Sequence, residues 1–163
     1  MVLYGIRQAV AAYPLRRSEK LRRVYVREEV CMGCGLCRVY CQTAHSRSRD
    51  IIKAFKKETP RPVPRLRVER HGEVSFSFPC RHCDEPSCVF SCLTGALTKD
   101  PVTGLVTVDS GKCMGCWTCV VACPNGALVR DTDHGVVAKC DLCPGEETPV
   151  CVANCPNEAL LCA

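Results

Sequence analysis

Aromatic residues are scarce in this chain, 6% of 163 with a single tryptophan, so no aromatic series interleaves its arginines in the way that stacking on single-stranded nucleic acid requires. No run of about 18 apolar residues occurs, and no membrane span is expected. A glycine-rich phosphate loop, a nucleophile elbow and a metalloprotease helix are all missing, so no substrate-converting active site is expected. The G-x-G within "GCGLC" falls inside a cysteine loop. No export signal is expected either. In "MVLYGIRQAVAAYPLRR" the basic residues follow the apolar stretch, Arg7 interrupts it, and Arg16-Arg17 leads into "SEKLRRVYVREE" where an apolar region would be needed. A reducing, cytoplasmic setting is therefore expected, in which cysteines bind metal or do redox chemistry rather than form disulfides.

What the chain has in abundance is cysteine, 17 residues. Sixteen fall into four groups of four: Cys31, Cys34, Cys37, Cys41; Cys80, Cys83, Cys88, Cys92; Cys113, Cys116, Cys119, Cys123; and Cys140, Cys143, Cys151, Cys155. Cys162 stands apart. Groups one and three share C-x2-C-x2-C-x3-C, as "CMGCGLC" and "CMGCWTC" show. Groups two and four share a wider form, with Pro86 and Pro149 each two places before the third cysteine. The chain reads as an internally repeated unit of small size, with an expected radius of gyration of about 15 Å.

The segments around the groups repeat as well. "CLTGALTKD", "CPNGALVRD" and "CPNEALLCA" each run from a fourth cysteine through a short turn into a strand. "DPVTG" and "TDHG" then reverse the chain into "LVTVD" and "VVAKC", which predicts two small β-hairpins. Between groups one and two, "SRDIIKAFKKE" predicts a short amphipathic helix with Ile51, Ile52, Ala54 and Phe55 on one side. Prolines 60, 62 and 64 predict an extended connector. "RLRVERHGEVSFSF" predicts a hairpin turning at His71-Gly72, with Leu66, Val68, Val74, Phe76 and Phe78 on one face.

Charge is unevenly spread. Residues 1–70 hold 17 Lys+Arg against 6 Asp+Glu, and residues 71–163 hold 5 against 11. The first part, including a basic extension over 1–23, is suited to docking an acidic partner.

Cysteines at every third position wrap three corners of a cubane cluster, and the fourth corner must come from elsewhere. In two-cluster bacterial ferredoxins the last cysteine of each run ligates the other cluster. Zinc sites usually present two C-x2-C knuckles separated by a longer loop, a form that the spacings of groups one and three do not fit. Sixteen cysteines correspond to four clusters. No member of any group is replaced by another residue, so all four are expected to be [4Fe–4S]. Spacing alone permits either sequential or nested pairing of the groups.

The order of the four groups, together with "CRHCDEPSC", "CLTGAL", "CMGCWTC" and "KCDLCPGEETPVCVANCPNEAL", resembles the four-cluster polyferredoxin subunits of anaerobic oxidoreductases over residues 24–161. Within these it is most similar to CO-dehydrogenase iron–sulfur subunits and the small subunit of tungsten aldehyde oxidoreductases. Formate dehydrogenase and hydrogenase subunits are more distant. The resemblance implies an α+β fold of tandem bacterial-ferredoxin-like units in a domain over 24–163. Groups two and three would form an inner unit over about 80–130, and groups one and four an outer one from 24–79 plus 131–163. The implied ligand sets are Cys80, Cys83, Cys88 and Cys123; Cys113, Cys116, Cys119 and Cys92; Cys31, Cys34, Cys37 and Cys155; and Cys140, Cys143, Cys151 and Cys41. The implied role is electron transfer between a catalytic oxidoreductase subunit and a flavin or NAD-binding subunit or ferredoxin. Self-association into a longer cluster chain is compatible with it. Cys41 and Cys92 depart from the family pattern in lacking a following proline.

Outside the ligand sets, His45 and His82 lie near cluster cysteines, while His71 and His134 sit in predicted turns; all four are expected to be ordinary loop residues. Trp117 is expected to pack over a cluster, and Cys162 to be a buried or frayed terminal thiol.

Overall fold

The computed structural model describes residues 22–163; all of the basic extension except Arg22 and Arg23 lies outside them. Four two-stranded antiparallel sheets and five short α-helices surround the cysteine loops, the architecture expected of a small α+β ferredoxin-like protein. No helix among the described residues is long and apolar enough to cross a membrane.

Three hairpins are local. β2 (Arg67–His71) pairs with β3 (Val74–Phe78), β4 (Leu97–Lys99) with β5 (Val106–Val108), and β6 (Val129–Asp131) with β7 (Val136–Ala138). The last two form where the repeated turn signals place them. Asp100 accepts from the backbone of Val102 and Thr103, and Asp131 from that of His134, so each turn is held by an Asp at its start. The fourth sheet is not local. β1 (Val24–Val26), before the first cysteine group, pairs with β8 (Leu160–Cys162), after the fourth, in the register Val24↔Cys162. The two ends of the described chain thus close on each other.

The helices follow the cysteine groups. α1 (Leu36–Ala44) carries Cys37 and Cys41, α3 (Ser87–Phe90) carries Cys88, α4 (Thr118–Ala122) carries Cys119, and α5 (Val150–Ala153) carries Cys151. Pro86 and Pro149 stand at the N-caps of α3 and α5, where a missing N–H costs nothing. α2 (Ile51–Lys56) is capped by Asp50, whose side chain accepts from Lys53 N at 2.8 Å.

Two small cores result. Val24, Leu66 and Leu160 pack with Cys37, Cys41 and Cys151; Leu97, Val106, Leu128 and Val137 pack with Cys88 and Cys119. α1 lies against α5 beside the first core, and α3 against α4 beside the second. The β6–β7 hairpin belongs to the second core, where Val137 packs with Leu97 and Leu128.

Two expectations fail in detail. In β3 the serines, not the aromatics, turn inward: Ser75 and Ser77 are buried, Phe76 and Phe78 are half-buried, and Val74 is exposed. Of the expected apolar face only Leu66 is buried. The reason is space. β3 faces the first cysteine loop, where a Cβ on Gly33 would stand 2.5 Å from Ser75 Oγ, so only small side chains fit. The turn also falls one residue later, at Gly72-Glu73, because His71 pairs with Val74. In α2 only Ala54 is buried, and Ile51 and Ile52 are exposed.

Candidate iron–sulfur centres

The loops between the first two cysteines of each group share one backbone feature. Gly33, His82, Gly115 and Leu142, each immediately before the second cysteine, all have positive φ, at 64°, 44°, 68° and 61°. The reversal turns the two thiols of C-x2-C to one side. Glycine adopts this conformation freely, which explains groups one and three, whereas His and Leu at the same place carry a conformational cost.

These loops gather thiols from distant parts of the chain. Cys31, Cys34 and Cys37 line one cavity with Cys155. Cys113, Cys116 and Cys119 line a second with Cys92, beside Trp117. Cys80, Cys83 and Cys88 line a third with Cys123. Cys41, Cys140, Cys143 and Cys151 also draw together: burial first, then repulsion from Cys140, Cys41 and Cys143, pushes the Cys151 thiol well above its ordinary range. At each of the three cavities one lining cysteine comes from a different group from the other three. All 17 cysteines are free of disulfides, and Cys162, in β8, lines none of these cavities.

The donor chemistry fits an iron–sulfur cube. Each set offers four thiols; His45 and Asp141 also come within 4.8 Å of the Cys143 sulfur, and His82 lines the Cys80 cavity. Burial pushes Cys41 and Cys140 up to about 12 and Cys88 up to about 11, so grouped thiolates are unfavourable here without a cationic centre among them. Protein donors already point at several sulfurs: Arg65 N lies 3.3 Å from Cys41 Sγ, His82 N 3.5 Å from Cys80 Sγ, and Asn125 Nδ2 3.8 Å from Cys83 Sγ. Thr118 Oγ1 donates to Cys116 Sγ at 3.4 Å and lowers that thiol's pKa. Such bonds are one means by which a protein sets cluster potentials.

Two polar groups were not assigned this importance by their sequence context. Asp141 accepts from His45 Nε2 at 3.1 Å, from Cys143 N at 3.1 Å and from the Arg65 guanidinium. Burial would raise its pKa, but the His45 hydrogen bond and Arg65 hold it far below the usual carboxylate range. Arg65, His45 and Asp141 thereby tie the segment after group one to the loop of group four. Lys139 is buried, and its ammonium donates to Val106 O at 2.7 Å and Cys140 O at 3.1 Å, with His82 Nδ1 at 3.3 Å. Burial first, then this ammonium, holds the His82 pKa down to about 3, so the ring is neutral. His134 is exposed and in a turn, as expected, whereas His71 is exposed at the end of β2, just before the turn.

Part of the basic first half is used internally. Arg23 pairs with Asp84 at 2.6 Å, Arg27 donates to Glu158 O at 2.7 Å, and Arg22 reaches Glu147 O.

Residues 73–163 match the model of the 4Fe-4S dicluster domain. The chain is 37% identical over 134 residues to the beta subunit of NADH-dependent phenylglyoxylate dehydrogenase from Aromatoleum evansii, covering 80% of this chain but only 27% of that protein. It is 36% identical over 149 residues to the electron transport protein HydN of Escherichia coli, covering 81% and 82% of the two chains. Among solved structures, a chain of the active site complex BamBC of benzoyl coenzyme A reductase superposes with a TM-score of 0.50 at 26% identity, over 87% of this chain and 76% of that one. The thiol groups, the fold and these likenesses agree, and the chain belongs to the 4Fe-4S dicluster domain family of iron–sulfur electron-transfer proteins.

Proposed function

We propose that the chain is a non-catalytic subunit carrying electrons through four [4Fe–4S] clusters, held by Cys31, Cys34, Cys37 and Cys155; by Cys41, Cys140, Cys143 and Cys151; by Cys80, Cys83, Cys88 and Cys123; and by Cys92, Cys113, Cys116 and Cys119. The observation that supports this reading is that three cavities are each lined by three cysteines of one group and a fourth from another, with Cys41, Cys140 and Cys143 all acting on Cys151. When bound, the clusters supply reversible one-electron chemistry. The chain supplies position, burial and hydrogen bonds to sulfur.

A row of sets is the arrangement we favour. Repulsion from Cys37 reaches Cys151, and repulsion from Cys80 reaches Cys140, while Cys88 and Cys119 share one core; together these support the order Cys31 set, Cys140 set, Cys80 set, Cys113 set. Cys34 and Cys116, in the two end sets, are the exposed ligands. Each has an exposed methionine two residues before it, Met32 and Met114. Electrons would enter and leave at these ends.

The partners proposed are a catalytic oxidoreductase subunit at one end and a flavin or NAD-binding subunit, or a ferredoxin, at the other. The benzoyl coenzyme A reductase chain is part of an active site complex by its own description, which supports a catalytic partner. A tungsten aldehyde oxidoreductase or a CO dehydrogenase is favoured by the sequence motifs, with formate dehydrogenase or hydrogenase as the alternative. Isolating the native complex without oxygen tests this directly. Tungsten with flavin, or nickel, in the co-purified subunit is expected. A chain containing stoichiometric zinc and little sulfide would refute the cluster assignment.

A further inference from the structure

His82 is fully buried, and its Nε2 is without a hydrogen-bond partner among the described residues. An orphaned buried ring nitrogen is costly, and such a group calls for a partner. The other nitrogen is fully engaged. Val106 N–H donates to Nδ1 at 3.1 Å, and the Lys139 ammonium stands 3.3 Å from the same atom. With two donors aimed at it, Nδ1 is the acceptor, and the neutral ring carries its hydrogen on Nε2. The ring lines the cavity that Cys80, Cys83, Cys88 and Cys123 share.

The repeat strengthens the point. The position before the second cysteine has positive φ in every group, and glycine fills it twice. In group four it is Leu142, which packs against the apolar core of Val24, Leu66 and Leu160. Filling space therefore needs only an apolar side chain. Group two instead places an imidazole there, at a conformational cost, and braces it with a buried lysine.

We infer that His82 is a positioning and tuning residue whose Nε2–H donates to a sulfur of the cluster held by Cys80, Cys83, Cys88 and Cys123, with Lys139 and Val106 fixing the tautomer. This rests on the cluster assignment proposed above. The bond strengthens when an electron from a redox partner adds negative charge to the sulfur, and Nε2 keeps its hydrogen throughout. His82 therefore raises the reduction potential of that one centre, an interior member of the row, relative to what its thiolates alone would set.

The test uses the full chain loaded anaerobically and titrated with dithionite under EPR. Leu142 shows that leucine is accommodated at this backbone position, so His82→Leu is the informative variant. One of four potentials is expected to fall, with about a tenfold lower reduced-to-oxidised ratio at fixed potential, about 59 mV for one electron. Four unmoved potentials with full iron would overturn the inference. Should the variant lose its cluster, a chain with His45→Gln, His71→Gln and His134→Gln keeps His82 as its sole imidazole. With nitrogen-15 histidine, pulsed EPR of that chain is expected to show nitrogen coupling at one reduced cluster. Iron and sulfide near sixteen each without that coupling overturns the role of His82 alone, whereas a chain lacking iron and sulfide overturns the cluster assignment as well.

Discussion

Val24 stands opposite Cys162 in the β1–β8 ladder, joining the strand before the first cysteine group to the strand after the last. Arg23 and Ala163 extend the ladder by two backbone hydrogen bonds of 2.7 and 3.0 Å. The core beneath it, with Val24, Leu66 and Leu160 against Cys37, Cys41 and Cys151, is what brings groups one and four together. Each buried aliphatic side chain there contributes about 1.5–3 kcal/mol.

Weakening this ladder is expected to separate the two halves of the cofactor complement. Leu160→Ala removes a side chain that is 2% exposed and costs about 2–5 kcal/mol. Iron is expected to fall toward about eight per chain, two clusters, with the Cys80 and Cys113 sets retained. Uniform loss from all four sets would show that the inner half cannot stand without the outer.

The proposed exchange of fourth thiols makes a prediction that sequential pairing does not. Cys41→Ser is expected to perturb the cluster of Cys140, Cys143 and Cys151. The three thiols of its own loop keep Cys155. Cluster-resolved Mössbauer or EPR spectra of the variant decide the matter, and damage confined to the Cys31 set would contradict the assignment.

Backbone geometry separates two glycines of equal φ sign. A Cβ at Gly115 would lie 2.5 Å from Gly135 O, whereas one at Gly72 meets nothing within 4 Å. Gly72→Ala is expected to cost only the conformational penalty, about 1–2 kcal/mol, with full iron. Gly115→Ala must also displace the β6–β7 turn. It is expected to lose the cluster beside Trp117, measured as a fall of about four iron per chain.

Electrostatic docking should map to residues 38–61 rather than to the arginines next to β1. Arg38, Arg47, Arg49, Lys53, Lys56, Lys57 and Arg61 are all exposed, while Arg22 and Arg23 are bound to the chain's own second half. Replacing Lys53, Lys56 and Lys57 with glutamine is expected to slow association with an acidic catalytic partner by about tenfold at low salt and to flatten its salt dependence. Stopped-flow association at two ionic strengths checks this. Equal rates would place the interface elsewhere.

Cysteine spacing by itself determined the four thiol groups, and local turn chemistry determined the hairpins at 97–108 and 129–138, because both are properties of a few adjacent residues. Asp100 and Asp131 act within three positions of themselves. The inward serines of β3 were not legible, since alternation reports a face but not the space available to it. Gly33 leaves little room beyond Ser75, and Ser77 lies against Cys37. Nor did composition distinguish His82 from any other loop histidine. Its standing comes from Val106 and Lys139, which reach it across 24 and 57 positions. The meeting of β1 with β8, and of each three-thiol loop with a cysteine from another group, belongs likewise to the tertiary structure. Spacing permits several pairings, and burial of Val24, Leu66 and Leu160 in one core brings groups one and four together.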